Sequence, residues 1–236
     1  MSRLRGALAD PLLSVVIPVY NEKDTIEEIL ARVIAVPVRK EIIVVDDCST
    51  DGTRAMLGAL QAKLGFQLCL QERNQGKGAA LRRGFAEVRG DLVVIQDADL
   101  EYSPEEYPDL IALICEGRAD VVYGSRFLGR HRVFLFTHYL GNRLLTLLTN
   151  VLYNTMLTDM ETCYKVMRTE VLRSFTLRSN GFGIEPELTA KIFKRGYRVY
   201  EVPITYDGRG YDEGKKITWR DGVVALWVLL RYRFSE

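Results

Sequence analysis

Two acidic clusters stand directly behind apolar runs. Asp97-Ala98-Asp99, with Glu101 two residues on, follows DLVVIQ at 91–96, and Asp46-Asp47 follows EIIVV at 41–45. In an extended segment residues i and i+2 face the same way, so Asp97 and Asp99 can converge on one cation. Their hard oxygens suit Mg²⁺ or Mn²⁺, ions commonly held by one or two carboxylates together with substrate phosphates. An isolated Asp-x-Asp is more often turn chemistry. Its place after a buried strand favours the metal, because ligands of open α/β sheets bind beyond the carboxyl ends of the strands. Asp46 and Asp47 repel each other unless donors relieve them, and a base or a ribose would bring such donors. Asp51-Gly52-Thr53 reads as a turn and helix cap.

Basic residues complete the inventory. Asn74-Gln-Gly76-Lys77-Gly78-Ala-Ala opens a helix. Small residues there let an anion approach backbone N–H groups, and Lys77 adds charge. A glycine-marked helix start on the surface is the competing reading, since neither the P-loop nor the dinucleotide spacing is present. Gly124-Ser-Arg126, Arg143, and Arg209 with Lys215-Lys216 are candidate phosphate contacts, arginine being suited to bidentate recognition.

These residues need a scaffold, and the apolar pattern supplies one. Strands are expected at 13–19, a β-branched run of buried type, and at 41–46, 66–70, 91–96 and 120–123, most of them solidly apolar. Helices are expected between them. The first starts at Asp24-Thr-Ile-Glu27, an N-cap with Glu three residues on, and stops at Pro37. Others run to about Leu64, from Gly76 to about Val88, and from Pro104 to about Gly117. This alternation predicts a parallel sheet with helices on both faces. After Gly124 the rhythm changes. One or two helices are expected over 132–157, a strand at 164–167, a helix at 186–194, a strand at 198–206 and a last helix at 218–231. The expected organisation is an N-terminal extension (1–11), one α/β domain (12–217) and a C-terminal amphipathic helix (218–236).

Composition narrows the function classes. The 236 residues are 47% hydrophobic and 27% charged, a globular balance. Lys and Arg number 32 against 31 Asp and Glu, so a formal charge of +1 gives no global electrostatic case for nucleic-acid binding. Cys48, Cys69, Cys115 and Cys163 form no C-x-x-C pair and read as reduced thiols of a cytoplasmic protein. The segment 1–11 lacks the apolar core of a signal peptide. The stretches 144–158 and 222–230 are too short to span a bilayer and suit helices that are buried or lie on a membrane surface.

In order along the chain, Pro18-Val-Tyr20-Asn21-Glu22, Val45-Asp46-Asp47, Asn74-x-Gly76-Lys77-Gly78, Asp97-Ala-Asp99 and Gly124-Ser-Arg126 resemble inverting family 2 glycosyltransferases of the A-type nucleotide-sugar-binding fold. The likeness covers about 13–217. It is strongest to the branch that uses dolichyl and other polyprenyl phosphates. The resemblance implies a Rossmann-like, mostly parallel sheet and a nucleoside pocket lined by Pro18, Tyr20, Glu22, Val45 and Asp47. It implies a donor side completed by Lys77 and Ala98, and a metal on Asp97 and Asp99. That branch usually has Gln where Glu101 stands as the third metal-side residue. Arg126, Arg143 and Thr146 are implied on the acceptor phosphate, and Arg209 and Lys215 on the donor diphosphate. Asp159, in Asp159-Met-Glu161-Thr-Cys-Tyr-Lys165, occupies a segment where some relatives carry a catalytic carboxylate, although Asp99 can equally sit next to the anomeric carbon.

The expected reaction is therefore metal-dependent inverting transfer of a hexosyl group from GDP-mannose or a UDP-sugar to a polyprenyl phosphate, at the cytoplasmic face of a membrane. A hydroxyl acceptor is the alternative, and it requires a carboxylate base, for which Asp159 or Glu161 qualifies. A glycoside hydrolase would need carboxylates on opposite faces of the scissile bond. A nucleotidyltransferase would need glycines in the first strand-to-helix turn, where Tyr20-Asn-Glu22-Lys stands. A non-catalytic nucleotide-sugar scaffold would have little use for the Asp97/Asp99 pair.

Overall fold

The computed structural model describes residues 6–133, 135–208 and 219–235. Seven strands form one sheet: β1 (Leu13–Val19), β2 (Lys40–Asp46), β3 (Gln67–Leu70), β4 (Leu92–Ile95), β5 (Val121–Ser125), β6 (Lys165–Arg168) and β7 (Val199–Pro203). Their spatial order is β3-β2-β1-β4-β6-β5-β7. The helices are α1 (Ile26–Ala35), α2 (Thr53–Leu64), α3 (Lys77–Phe85), α4 (Tyr107–Cys115), α5 (Phe136–Tyr153), α6 (Thr169–Arg173), α7 (Ile184–Lys194) and α8 (Trp219–Phe234). A single 3₁₀ turn, Pro104–Glu106, precedes α4.

The period-2 alternation of β1 explains the layering. Val15, Ile17 and Val19 face one cluster with Ile26, Ile29 and Leu30 of α1, while Val16 faces the other with Ala80 and Leu81 of α3. Burying each such side chain contributes about 1.5–3 kcal/mol. Because both faces are covered there, the central strands β1 and β4 and most of β2 and β5 read as apolar runs.

The sheet is mostly parallel, as expected, with one strand reversed. β6 pairs antiparallel with both β4 and β5, with Tyr123 opposite Lys165 and Val121 opposite Met167. The chain leaves the sheet at the carboxyl end of β5, passes through α5 and re-enters from that same end. The reversed direction follows. Among the described residues of 132–157 there is one helix, α5, closed by Asn154 in the left-handed region at φ 50. The five-residue α6 is too short to show a helical period. The predicted cap at Asp24 is also corrected: Thr25 is the N-cap, without a side-chain bond, and the Glu22 carbonyl accepts the Thr25 and Ile26 N–H groups instead.

The glycines at the start of α3 have a different use from the one expected. A Cβ on Gly78 would lie 2.4 Å from the Ser179 carbonyl oxygen and 2.9 Å from that of Gly181. A Cβ on Gly76, already at φ +94, would lie 2.7 Å from the Asn180 oxygen. The Asn180 carbonyl accepts the Ala79 N–H at 2.9 Å. The helix start is thus occupied by the backbone of 179–181, and what it presents to the site is the Lys77 side chain. Gly78→Ala is expected to destabilise the fold by about 1–3 kcal/mol through overpacking against backbone that has no rotamer to yield; urea unfolding of the variant measures this.

Candidate active site

A cavity of about 760 Å³ opens at the carboxyl edge of the sheet. Its walls come from the segments after β1, β2, β4 and β5, and from the first halves of α5 and α8. The loops after three of these strands hold non-glycine residues at positive φ: Asn21 (53), Cys48 (64) and Leu100 (64). For a side chain as bulky as Leu100, set between Asp99 and Glu101, this backbone is strained, and such strain concentrates at functional sites.

Beneath the Asp97–Asp99 segment, Gln96 is fully buried. Its Oε1 accepts the hydroxyls of Tyr107 (2.6 Å) and Tyr164 (2.7 Å), and its Nε2 donates to the Asp97 carbonyl at 2.9 Å. The amide therefore fixes the turn that carries the aspartates. Asp97, Ala98, Asp99 and Glu101 all line the cavity. The Asp97 carboxylate is 2.7 Å from Lys77 Nζ, which also lies 2.9 Å from Cys163 Sγ and 3.8 Å from Glu185 Oε1. Burial opposes the Lys77 cation, but Asp97, with Cys163 and Glu185, outweighs it and raises the ammonium pKa well above its ordinary value. The Cys163 thiol is pushed up chiefly by burial, and further by Asp97, so it is held neutral.

Among the described residues no three carboxylate, histidine or cysteine groups are spaced to hold a metal ion. Glu101 instead accepts the Tyr206 hydroxyl at 2.7 Å, and Asp99 accepts the Glu101 N–H at 3.2 Å. The donor set still fits a hard divalent ion. Two aspartates share the cavity wall, and such ions complete their shell with substrate phosphates.

On the expected nucleoside side, Pro18, Tyr20, Glu22 and Asp47 line the cavity. Val45 does not: it is fully buried in the core with Val16 and Ala80, the consequence of strand alternation in β2. The Asp46/Asp47 repulsion is relieved by the protein rather than by a ligand. Asp46 pairs with Arg54 at 2.6 Å. Asp47 accepts from Gln71 Nε2 and from the N–H groups of Gln75 and Gly76, which ties β2 to the start of α3.

On the expected acceptor side the arginine is fixed by its neighbour. Arg126 donates to Asp159 through Nε (2.7 Å), Nη2 (2.8 Å) and its backbone N–H (3.0 Å). Burial disfavours the guanidinium, and Asp159 overcomes this and raises its pKa well above the ordinary value. Arg126 lines the cavity and its guanidinium lies over the Tyr206 ring at 5.2 Å. Asp159, expected as a reacting carboxylate, is fully buried away from the cavity wall. Its oxygens are spent on Arg126, so its place here is that of a positioning residue. Thr146 is also turned to structure: it is buried and its Oγ1 accepts the Met160 N–H at 3.2 Å. Arg143 is exposed on α5, 3.4 Å from the Thr158 carbonyl, and does not line the cavity. Arg209 and Lys215, with Lys216, lie outside the described residues.

Several wall residues were not singled out from the sequence. Glu185 and Cys163 reach the cavity from α7 and from the turn before β6, and His138, Asn142 and Asp221 from α5 and α8. The sequence signal of Glu185, His138, Asn142 and Asp221 is polarity inside helices with apolar faces, and Cys163 lies in a turn. Glu161, noted in the sequence only as a candidate base for a hydroxyl acceptor, also lines the cavity.

This arrangement of aspartates after β4 and an arginine after β5 is that of the A-type glycosyltransferase fold, and the chain belongs to glycosyl transferase family 2, whose profile matches residues 14–176. Over 209 residues it is 32% identical to a dolichol-phosphate mannosyltransferase of Pyrococcus furiosus, covering 86% of this chain and 58% of that protein. Over 111 residues it is 40% identical to an undecaprenyl-phosphate 4-deoxy-4-formamido-L-arabinose transferase of Edwardsiella ictaluri, covering 44% of this chain and 34% of that protein. The chain therefore spans well under two thirds of these relatives' lengths. Its fold matches glucosyl-3-phosphoglycerate synthase of Mycobacterium tuberculosis, solved with Mn²⁺, uridine diphosphate and phosphoglyceric acid. The TM-score is 0.76 at 23% identity, over 96% of this chain and 80% of that one.

Removing one partner of a buried ion pair strands the other, at about 3–5 kcal/mol. Asp159→Ala is therefore expected to lower stability by about that amount, and Arg126→Met added to it to recover most of the loss. Urea unfolding of both single variants and the double variant gives the coupling; strict additivity would show that the pair is not a unit.

Proposed function

We propose that this chain transfers a hexosyl group, with inversion, from a nucleoside diphosphate sugar (GDP-mannose or a UDP-sugar) to a polyprenyl phosphate. The observation that carries this reading is Arg126. It is a buried, permanently charged guanidinium, aimed by Asp159 into the cavity whose other wall holds Asp97 and Asp99. Such a cation suits an anionic acceptor. A phosphate monoester, with a second pKa of about 6, is mostly dianionic at neutral pH and needs no strong base to attack. The names of the Pyrococcus and Edwardsiella relatives support the same acceptor class.

In this reading Asp97 and Asp99 hold Mg²⁺ or Mn²⁺, which would offset the charge that grows on the departing diphosphate. Lys77, alongside Asp97, adds a fixed cation to the donor side. Arg126 orients the acceptor phosphate on the other, so that attack comes from the face opposite the leaving group. Tyr20, Glu22 and Asp47 take the nucleoside.

Two helices support an acceptor that arrives from a bilayer. Among the described residues no helix is long and apolar enough to cross a membrane. Yet α5 exposes Phe136 (73%), Leu140, Leu144, Leu147 and Val151 (72%) at helical spacing, and α8 exposes Val223, Trp227 (55%), Leu230 and Phe234 (84%). The two helices pack together, with Tyr153 Oη donating to the Leu229 carbonyl at 2.7 Å. Arg143 and Arg231 are exposed alongside, the latter over the Trp227 ring at 4.9 Å. Apolar stripes flanked by arginine suit helices lying in a membrane interface. Since the same helices line the cavity, a prenyl tail could stay in lipid while its phosphate reaches Arg126.

Asp99→Ala is expected to reduce turnover at least a hundredfold and to abolish metal-dependent strengthening of nucleoside diphosphate binding by calorimetry; undiminished turnover would remove the metal role. Leu144→Asp with Trp227→Asp is expected to weaken sedimentation with anionic phospholipid vesicles at least tenfold while nucleoside diphosphate binding changes less than twofold. Equal turnover of wild-type protein on a prenyl phosphate and on a free sugar hydroxyl would overturn the acceptor assignment.

A further inference from the structure

Glu161 sits in the turn between two residues already given work. Asp159 on one side holds Arg126, and Cys163 on the other touches Lys77 beside Asp97. Its side chain lines the cavity, and its Oε1 is shut off from solvent with no hydrogen-bond partner. A buried polar atom left unpaired is costly and calls for a ligand. The neighbouring cations are already committed. Lys165 Nζ lies 2.5 Å from Glu185 Oε2, and Arg126 is bidentate on Asp159. Among the described residues, neither of these cations forms an ion pair with Glu161.

We propose that Glu161, in its protonated form, donates a hydrogen bond to the phosphate of the acceptor. This rests on the acceptor reading above and adds to it the residue that makes acceptor binding depend on protonation. An ionised Glu161 would stand against a phosphate dianion at a buried position, whereas the neutral acid supplies the donor that Arg126 alone does not. The surroundings set the required state. Burial pushes the Glu161 carboxyl up to about 7; Lys165 and Arg126 pull it down, and Glu185 and Asp159 push it back up. A bound phosphate adds a further negative charge and favours the acid still more. No proton moves in the transfer. The sugar–diphosphate C–O bond breaks with its electron pair going to the diphosphate, an acceptor phosphate oxygen forms the new C–O bond, and Glu161 keeps its proton.

The sign of the pH dependence follows. Below about pH 7 the acid is present and the acceptor is held. Above it the carboxylate forms and repels, so the acceptor KM rises with pH. The acceptor's own ionisation acts the other way, making it a better nucleophile as pH rises. The experiment measures KM for farnesyl phosphate at pH 6 and pH 8.5 in wild type, Glu161→Gln and Glu161→Ala, with nucleoside diphosphate binding by calorimetry for each. The expected result is a rise in KM of at least tenfold for wild type and less than threefold for Glu161→Gln, whose amide is neutral at both values. Glu161→Ala should show a high KM at both, with donor-side binding in all three within about twofold. A Glu161→Gln profile that follows wild type would overturn the proposal and mean that the orphan oxygen is merely hydrated. No turnover of any prenyl phosphate by wild type would overturn the acceptor reading, and this inference with it, and is distinguished by the absence of a KM to compare.

Discussion

The bidentate contact between Arg126 and Asp159 is the constraint on which the cavity depends. A guanidinium taken out of water is stable only if a carboxylate meets it with good geometry, and here it meets one at 2.7 and 2.8 Å. The pair also joins two parts of the chain that share no strand ladder, the end of β5 and the turn at 157–163. That turn is anchored from below as well, since Glu201 on β7 accepts the N–H groups of Thr158 and Asp159. With both ends fixed, the intervening residues have little freedom, and Glu161 and Cys163 are delivered to the cavity as a set. The pair adds little net stability compared with apolar residues of the same shape. What it contributes is a charge with a fixed direction.

A second balance holds on the opposite wall. Lys77 comes from the start of α3 and Asp97 from the end of β4, and each lowers the cost of burying the other. In the proposed reading, bringing in a divalent ion with a diphosphate would change this little in net charge. Two aspartates and a diphosphate are strongly negative together, and the ion with Lys77 restores the balance. The lysine therefore need not leave when a donor arrives. The glycines at 76 and 78 belong to the same device, because only without Cβ atoms can α3 approach the 179–181 backbone closely enough to aim Lys77 inward.

Much of the fold was legible in the sequence because the central strands β1, β2, β4 and β5 are β-branched runs with few exposed positions, and because Asp51-Gly52 and Pro37 punctuate the helices where expected. The direction of β6 was not legible: KVMR looks the same whichever way it enters a sheet, and direction is set by which end the chain re-enters. The cavity wall was readable at Asp97, Asp99 and Arg126, whose residue types are unusual directly behind apolar strands. It was misread where a side chain's direction mattered. Val45 follows the alternation of β2 into the core, and Thr146 lies on the inward face of α5 where its hydroxyl serves Met160. Asp159 shows the deeper difficulty. A carboxylate in a polar turn looks free in sequence, and only the fold reveals that an arginine thirty-three residues away, at 126, has taken both its oxygens.

The same exchange bears on the choice of acceptor. Of the two carboxylates that could serve a hydroxyl acceptor as base, Asp159 is spent on Arg126, which leaves Glu161, assigned above to the acceptor phosphate as its protonated form. What the acceptor side offers is an arginine that cannot lose its charge and a carboxyl that burial keeps weakly acidic, a combination suited to receiving an anion. A nucleophile that arrives already ionised asks the protein only for placement. Placement is also what the two helices with exposed apolar stripes at the cavity's edge would supply if they lie at a membrane surface as proposed, by confining the acceptor's tail to a plane and leaving its head group to search one opening. In the proposed reading, the chemistry that the site does without and the surface that the helices expose have a single explanation in a charged head group on an apolar tail.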